Sequence, residues 1–185
     1  MKIKNLFAIA AVALGFAACS SNDEVIDAGV TESLSTYVGV ELDFSGKMTK
    51  AALGSWGGRD EIQNVTVFLV NAAKNKIDYT TFSKESFKIE AGKLTPGLAV
   101  KSTAGDKVDV YAIVNGKESI VNNLKLGAAS DFEDKYNTVV STLASQVAKM
   151  ESEKEVVMMT NDQKYTIEVA AGVSKEAAVL SESKN

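Results

Sequence analysis

Ile62-Gln-Asn-Val-Thr-Val-Phe-Leu-Val70 is the stretch on which the fold turns. From Val65 it is an almost continuous β-branched run, with Val65, Val67 and Leu69 on one face of an extended chain and Phe68 and Val70 on the other. A strand that is apolar on both faces has to be covered on both, which makes this a central strand of a β-sandwich. Lys107-Val-Asp-Val-Tyr-Ala-Ile-Val-Asn115 is a second strong strand, its Val108, Val110, Ala112 and Val114 alternating with Asp109, Tyr111 and Ile113. Between the two, Asn71 to Lys76 is a polar hairpin connection, and Ile77 to Phe82 and Ser86 to Ile89 are weaker strands. Glu90-Ala91-Gly92-Lys93 turns before Leu94, Pro96-Gly97 bends the chain, Leu98 to Lys101 is a short strand, and Gly105-Asp106 turns into the second strong strand.

Downstream the apolar period changes from two to that of a helix. Ser130-Asp131-Phe132-Glu133 has the spacing of a capping box, after which Phe132, Tyr136, Val139, Val140, Leu143, Val147 and Met150 form one apolar stripe. Asp131, Glu133 and Asp134 are explained together as acids at the positive end of that helix, in preference to a carboxylate site. Glu155 to Thr160 and Tyr165 to Ala170 are two further strands, with Met158 and Met159 as core filler, and Ser174 to Asn185 is polar and tapers off. The expected body is one sandwich over roughly residues 51–180 with the Ser130 to Met150 helix packed on it.

Upstream of the body, Val38, Val40, Leu42 and Phe44 fall at every second position while Tyr37, Gly39, Glu41 and Asp43 lie opposite, the period of a half-buried strand. Gly46 to Ala52 is small and basic, with Lys47 and Lys50, hence an exposed loop open to a trypsin-like protease. At the start of the chain, Lys2 and Lys4 precede an apolar run from Leu6 to Leu14 and small residues leading to Cys19. That is the plan of an export signal, too short for a comfortable membrane span. Ending at a cysteine, it looks like a lipoprotein signal peptide over residues 1–18, with Cys19 acylated; the alternative is an ordinary secretory signal with an incidental cysteine. Residues 19–35 are a polar, acidic tether, and the acids just behind Cys19 resemble the surface-export signal of Bacteroidota lipoproteins.

Composition removes whole classes of chemistry. The 185 residues contain no histidine and a single cysteine. Ser-His-Asp and Cys-His catalysis, His or Cys zinc sites and an intramolecular disulfide are therefore excluded. A net charge of −4 does not invite nucleic acid. No cofactor, metal or catalytic residue is expected, and function by binding or assembly is.

The runs G-F-A-A-C, Y-V-G-V-E-L-D-F, S-W-G-G-R-D-E-I-Q-N-V-T-V-F-L-V, L-T-P-G-L-A-V-K-S-T-A-G-D-K-V-D-V-Y-A-I-V-N, D-F-E-D-K-Y and E-V-V-M-M-T-N, in that order, resemble the Bacteroidales fimbrillins, the type V pilins, and most of all the stalk subunit of the short fimbria. The resemblance implies a mainly β fold, a Greek-key, transthyretin-like β-sandwich of about seven strands with one packed α-helix. It also implies a fimbrial structural subunit that supports adhesion, exported as a lipoprotein and held in the outer membrane at the cell surface through the lipid on Cys19. A trypsin-like protease would cut after Lys50, before Ala51, with Lys47 the second choice. The cut would free residues 36–50, with Val38, Val40, Leu42 and Phe44 as a removable plug, and a strand from another subunit would enter the groove. The partners implied are further copies and accessory or tip subunits. Residues 51–185 would be the N-terminal sandwich domain; the closing strand, second sandwich and donor segment of the family have no counterpart before Asn185. The family's cleavage residue is arginine, and Arg59, the one arginine, lies in the mature body, so the protease would have to accept lysine. Two other readings remain open: a non-polymerising surface lipoprotein binding carbohydrate or peptide around Trp56, and a small hydrolase with paired carboxylates, for which no pair is singled out.

Overall fold

The structure, a computed structural model, describes residues 2–3, 5–9, 35–43, 61–90, 93–147, 158–161 and 164–180. Within them two sheets lie face to face. The six-stranded sheet runs β1 (Lys2–Ile3), β10 (Met159–Asn161), β9 (Lys107–Val114), β4 (Asn64–Asn71), β5 (Lys76–Ser83), with β11 (Tyr165–Glu168) also paired to β9. The five-stranded sheet runs β2 (Asn5–Ile9), β3 (Ser35–Asp43), β7 (Lys93–Thr95), β6 (Lys88–Glu90), with β8 (Leu98–Thr103) also paired to β3.

β4 and β9 are the two strong strands of the sequence, and they pair antiparallel with Phe68 opposite Tyr111. Each is apolar on both faces because it divides two cores. Val65, Val67 and Leu69 of β4 and Val108, Val110, Ala112 and Val114 of β9 face the second sheet, meeting Leu94, Leu98 and Val100 between the layers. Phe68, Val70, Tyr111 and Ile113 point the other way, beneath α1 (Glu118–Lys125) and α2 (Phe132–Val147). Enclosing each of these side chains contributes about 1.5–3 kcal/mol, so both layers are needed for the sheet to hold. Met158 and Met159 divide in the same way, one buried in each core, as expected of filler.

α2 lays Phe132, Tyr136 and Leu143 on the sheet. Tyr111 lies between Phe132 and Tyr136 with its ring tilted to both, the centroids 4.9 and 4.8 Å away. The buried Tyr136 hydroxyl sits between two acceptors, the Ala112 carbonyl at 2.7 Å and Asn161 Oδ1, and burial holds its proton on far above the ordinary phenol range. Asn161 Oδ1 also accepts the Ala112 N–H at 2.7 Å, so one side chain ties β10 to β9 and to the helix. A second tie lies just past the end of β9, where it meets the residues that lead into β4. Asn115, at φ 55°, accepts the Gln63 N–H at 2.7 Å and donates to the Glu61 carbonyl at 2.9 Å.

Three helical features differ from the sequence expectation. α1 is not foreseen, because eight residues containing Ile120, Val121 and two asparagines carry little intrinsic helix preference. It forms because Val121 and Leu124 are buried against the sheet. The capping box is not made: Ser130 sits inside a 3-10 turn (Ala129–Asp131) and donates to Asp131, while Glu133 pairs with Lys164 at 2.6 Å. The tail does not taper off at Ser174, since α3 (Lys175–Leu180) follows it. Val147 and Met150 of the expected stripe and residues 155–157 of the expected strand lie outside what is described of side chains or backbone.

Tyr136→Phe removes the one proton that both acceptors share, and it is expected to lower stability by about 1–2 kcal/mol. Thr138→Ala, on the exposed side of the same helix, is expected to stay within about 0.5 kcal/mol of the parent. Urea denaturation of the two variants beside the parent measures the difference; equal losses would show that the buried hydroxyl is not a structural tie.

Candidate functional site

The strand read from Val38, Val40, Leu42 and Phe44 is β3, and its first three apolar side chains enter the inter-sheet core at 5%, 2% and 0% exposure. Phe44 lies outside the described residues, as do Cys19, Lys47, Lys50, Ala51 and Trp56. β3 runs antiparallel to β8 over six paired positions, from Ser35 opposite Thr103 to Val40 opposite Leu98. At its far end Asp43 meets Lys93 of β7. Its side chains meet those of the opposite sheet, so the strand is both a rung of the ladder and a filling of the core.

Removing β3 from this arrangement leaves a groove. One wall is the backbone edge of β8, and the floor is the apolar inner face of β4 and β9. The outer edge of β8 runs beside β5 of the other sheet, where Ser102 donates to Asp78 at 2.9 Å and the Lys76 ammonium donates to Thr103 Oγ1 at 2.8 Å. This polar seam closes the sandwich on that side and holds β8 in place independently of β3. Below it, Lys74 pairs with the buried Asp106. Burial pushes that carboxyl up, but Lys74, Asn71 and Lys76 together outweigh burial and hold it below the usual aspartate range.

The outward face of β3 departs from the half-buried pattern. Gly39 and Glu41 are buried there and Tyr37 is half-buried, while Thr36, on the same face as Val38, is buried as well. Glu41 pairs with Lys93, pinning β3 to β7. Thr36 exchanges two hydrogen bonds with Val173, donating to its carbonyl at 3.3 Å and accepting its N–H at 2.9 Å, and the Tyr37 N–H also reaches that carbonyl at 3.1 Å. α3 lies across Gly39, and Ala99, Val173 and Ala178 form a third small core with Tyr37, Ala170 and Val179 around it. This cover is what the sequence reading misses. Two signals point to it: a glycine inside a strand marks the close approach of another backbone, and Ser174 before Lys-Glu-Ala-Ala-Val-Leu is an N-cap, its Oγ accepting the Ala177 N–H at 3.1 Å.

On the other edge of β3 the backbone of Asn5–Ile9 is paired antiparallel, from Asn5 opposite Asp43 to Ile9 opposite Gly39. Lys2–Ile3 lies parallel to β10. These are residues of the expected leader, so while it is attached it covers an edge of each sheet.

A cavity of 490 Å³ lies between residues 70–74, 105–109 and 164–166; of its charged side chains, Lys74 pairs with Asp106, and Lys164 pairs with Asp109 at 3.6 Å and with Glu133, outside the lining, at 2.6 Å. Among the described residues no cluster of three or more acids, histidines or cysteines is placed to hold a metal, and no helix is long and apolar enough to cross a membrane.

The buried half of β3 makes a sharp prediction. Val40→Asp with Leu42→Asp exchanges about 1.5–3 kcal/mol of burial per side chain for two unpaired carboxylates in the core. The double variant should fail to show a cooperative melting transition under conditions where the parent does. A near-parental melting temperature would place these side chains outside the core.

No protein-family model matches the chain, and no solved structure matches it significantly. Two curated relatives do, each described as the minor fimbrium subunit Mfa1 of Porphyromonas gingivalis. Each is 26% identical over 176 residues, covering 90% of this chain and 34% of the relative. The chain therefore spans about a third of the length of the curated relatives it matches. This similarity bears out the resemblance to the fimbrillins, with the short-fimbria subunit as its type, and supports a fimbrial structural subunit.

Proposed function

We propose that this chain acts as a structural subunit of a cell-surface fimbria, not as an enzyme, and that β3 is a plug that another subunit's strand replaces. The observation that carries the reading is the position of β3: three of its side chains complete the inter-sheet core, yet residues 44–60 separate it from the rest of the sandwich. A single cut in that stretch would leave β3 joined to the body by noncovalent contacts alone. The similarity to a minor fimbrium subunit supports the same reading.

The energetics favour a proteolytic trigger. While the chain is continuous, β3 competes for its own groove at an effective concentration of about millimolar, and a donor strand from dilute subunits cannot displace it. After the cut that advantage is gone. A strand that rebuilds the six-position ladder to β8 and refills the places of Val38, Val40 and Leu42 regains what β3 contributed. Loss of residues 1–18 at an acylated Cys19 would also leave Gly39 to Asp43 unpaired on their outer edge, which loosens the plug before it is cut. On this reading the protein is exported, anchored in the outer membrane through Cys19 and displayed at the surface. A trypsin-like protease then cuts it after Lys50, or secondarily after Lys47, and it assembles with further fimbrial subunits, supporting adhesion. Binding of carbohydrate or peptide by a non-polymerising lipoprotein is the alternative, and it rests on Trp56, outside the described residues.

Limited trypsin digestion of the full chain tests the order of events. The first cut is expected at Lys47 or Lys50, and the trimmed product is expected to associate with other subunits while the uncut chain stays monomeric in size-exclusion chromatography. A first cut between Ile62 and Asn115, or identical behaviour of cut and uncut chains, would remove the plug from the account.

A further inference from the structure

We propose that the segment from Val169 to Val179 selects the strand that may occupy the groove, admitting only an extended segment with glycine at the register of Gly39 and a hydroxyl side chain at the register of Thr36. The inference rests on the strand-replacement reading above and names the partner it requires.

Gly39 is the sharper of the two determinants. A Cβ built on it would overlap the backbone carbonyl oxygen of Ala178 and stand 3.2 Å from the carbonyl carbon. The obstacle is main chain, so it cannot swing aside as a long side chain would. It is also fixed within its own turn, since the Ala178 N–H donates to the Ser174 carbonyl at 3.0 Å and Ser174 Oγ caps the first turn. At the Thr36 register the requirement is polar. Val173 N–H and C=O both face the Thr36 hydroxyl in a buried position, and an apolar residue there would leave the N–H without its acceptor.

The selector stays in place when β3 leaves, because its roots lie elsewhere. The Val169 N–H donates to the Asp106 carbonyl and the Gly105 N–H to the Val169 carbonyl, both at 2.8 Å, fastening the segment to the turn between β8 and β9. Just before it, β11 is paired to β9, and beyond it Val173 and Ala178 pack on Ala99 of β8. The groove thus has a preformed roof as well as a floor. The floor takes apolar side chains at the registers of Val38, Val40 and Leu42. Together the floor and the segment from Val169 to Val179 specify a donor with a hydroxyl at the register of Thr36, apolar side chains at those of Val38, Val40 and Leu42, and glycine at that of Gly39, supplied by another subunit.

Peptide exchange tests the selection. A protease site placed within residues 44–60 of the full chain allows β3 to be nicked but retained, and fluorescent peptides spanning residues 34–44 then compete for its place. The parental peptide is expected to enter. A peptide with Gly39→Ala should enter at least about tenfold less well, and one with Thr36→Val severalfold less well, as overpacking and a lost buried acceptor require. In a chain ending at Val173 the Gly39→Ala peptide should recover to within about twofold of the parental one. Independently, Gly39→Ala in the uncut full chain should lower the melting temperature more than the same change in the chain ending at Val173. Equal entry of the parental and Gly39→Ala peptides into the nicked chain overturns the selection and leaves strand replacement standing. Entry of neither peptide overturns strand replacement, and the selection falls with it.

Discussion

Val38, Val40 and Leu42 complete the inter-sheet core, and most of what is particular to this molecule follows from that placement. The three side chains belong to a strand that precedes the sandwich body in sequence, yet they occupy its centre. On the strand-replacement reading, a fold completed by β3 is stable while that strand is tethered and would become a receptor once the tether is cut. β-Augmentation would then need no new chemistry: the receptor would offer a backbone edge on β8 and an apolar floor, which a strand of suitable side-chain pattern could complete.

The two sides of the groove make different demands on that strand. The floor discriminates weakly, since apolar side chains of similar volume substitute for one another at modest cost. The segment from Val169 to Val179 is more demanding, because a carbonyl oxygen over Gly39 and a backbone amide facing Thr36 tolerate few replacements. The polar seam of Ser102 with Asp78 and Lys76 with Thr103 fastens β8 to β5 of the other sheet. The ties made by Tyr136, Asn161 and Asn115 hold the other sheet and its helices as a rigid base. Several runs that carry the fimbrillin resemblance meet at these ties: D-F-E-D-K-Y supplies Phe132 and Tyr136, M-M-T-N supplies Asn161, and E-I-Q-N faces the Asn115 of Y-A-I-V-N. Those residues shape the scaffold and not the groove.

How much was legible in the sequence depended on whether one periodicity was sufficient to describe a segment. β4 and β9 were plain because each alternates between two apolar sets, and both sets proved to be buried, in different cores. The inward face of β3 was plain for the same reason. Its outward face was not, because Glu41 and Gly39 in alternation with valines look solvent-facing, whereas Ala178, distant in sequence, covers Gly39 and Lys93 of β7 pairs with the buried Glu41. α1 and α3 were missed because eight and six residues are too short for a helical period to stand out, and their stability comes from the sheet beneath them. The Ser130 and Glu133 pattern misled in the opposite direction: the spacing was correct, but Lys164, brought close by the end of β11, captured the glutamate.

Hydrogen exchange of the β8 amides, Leu98 to Thr103, measures the central claim most directly. These groups are to be followed in the uncut chain, in the trimmed chain freed of β3, and in the trimmed chain after a donor strand from another subunit is added. The account predicts slow exchange, then fast exchange, then slow exchange again, with the amides of β4 and β9 protected throughout. Slow exchange of β8 in the trimmed, unpartnered chain would show that the sandwich does not depend on β3 for closure, and that no groove awaits a second subunit.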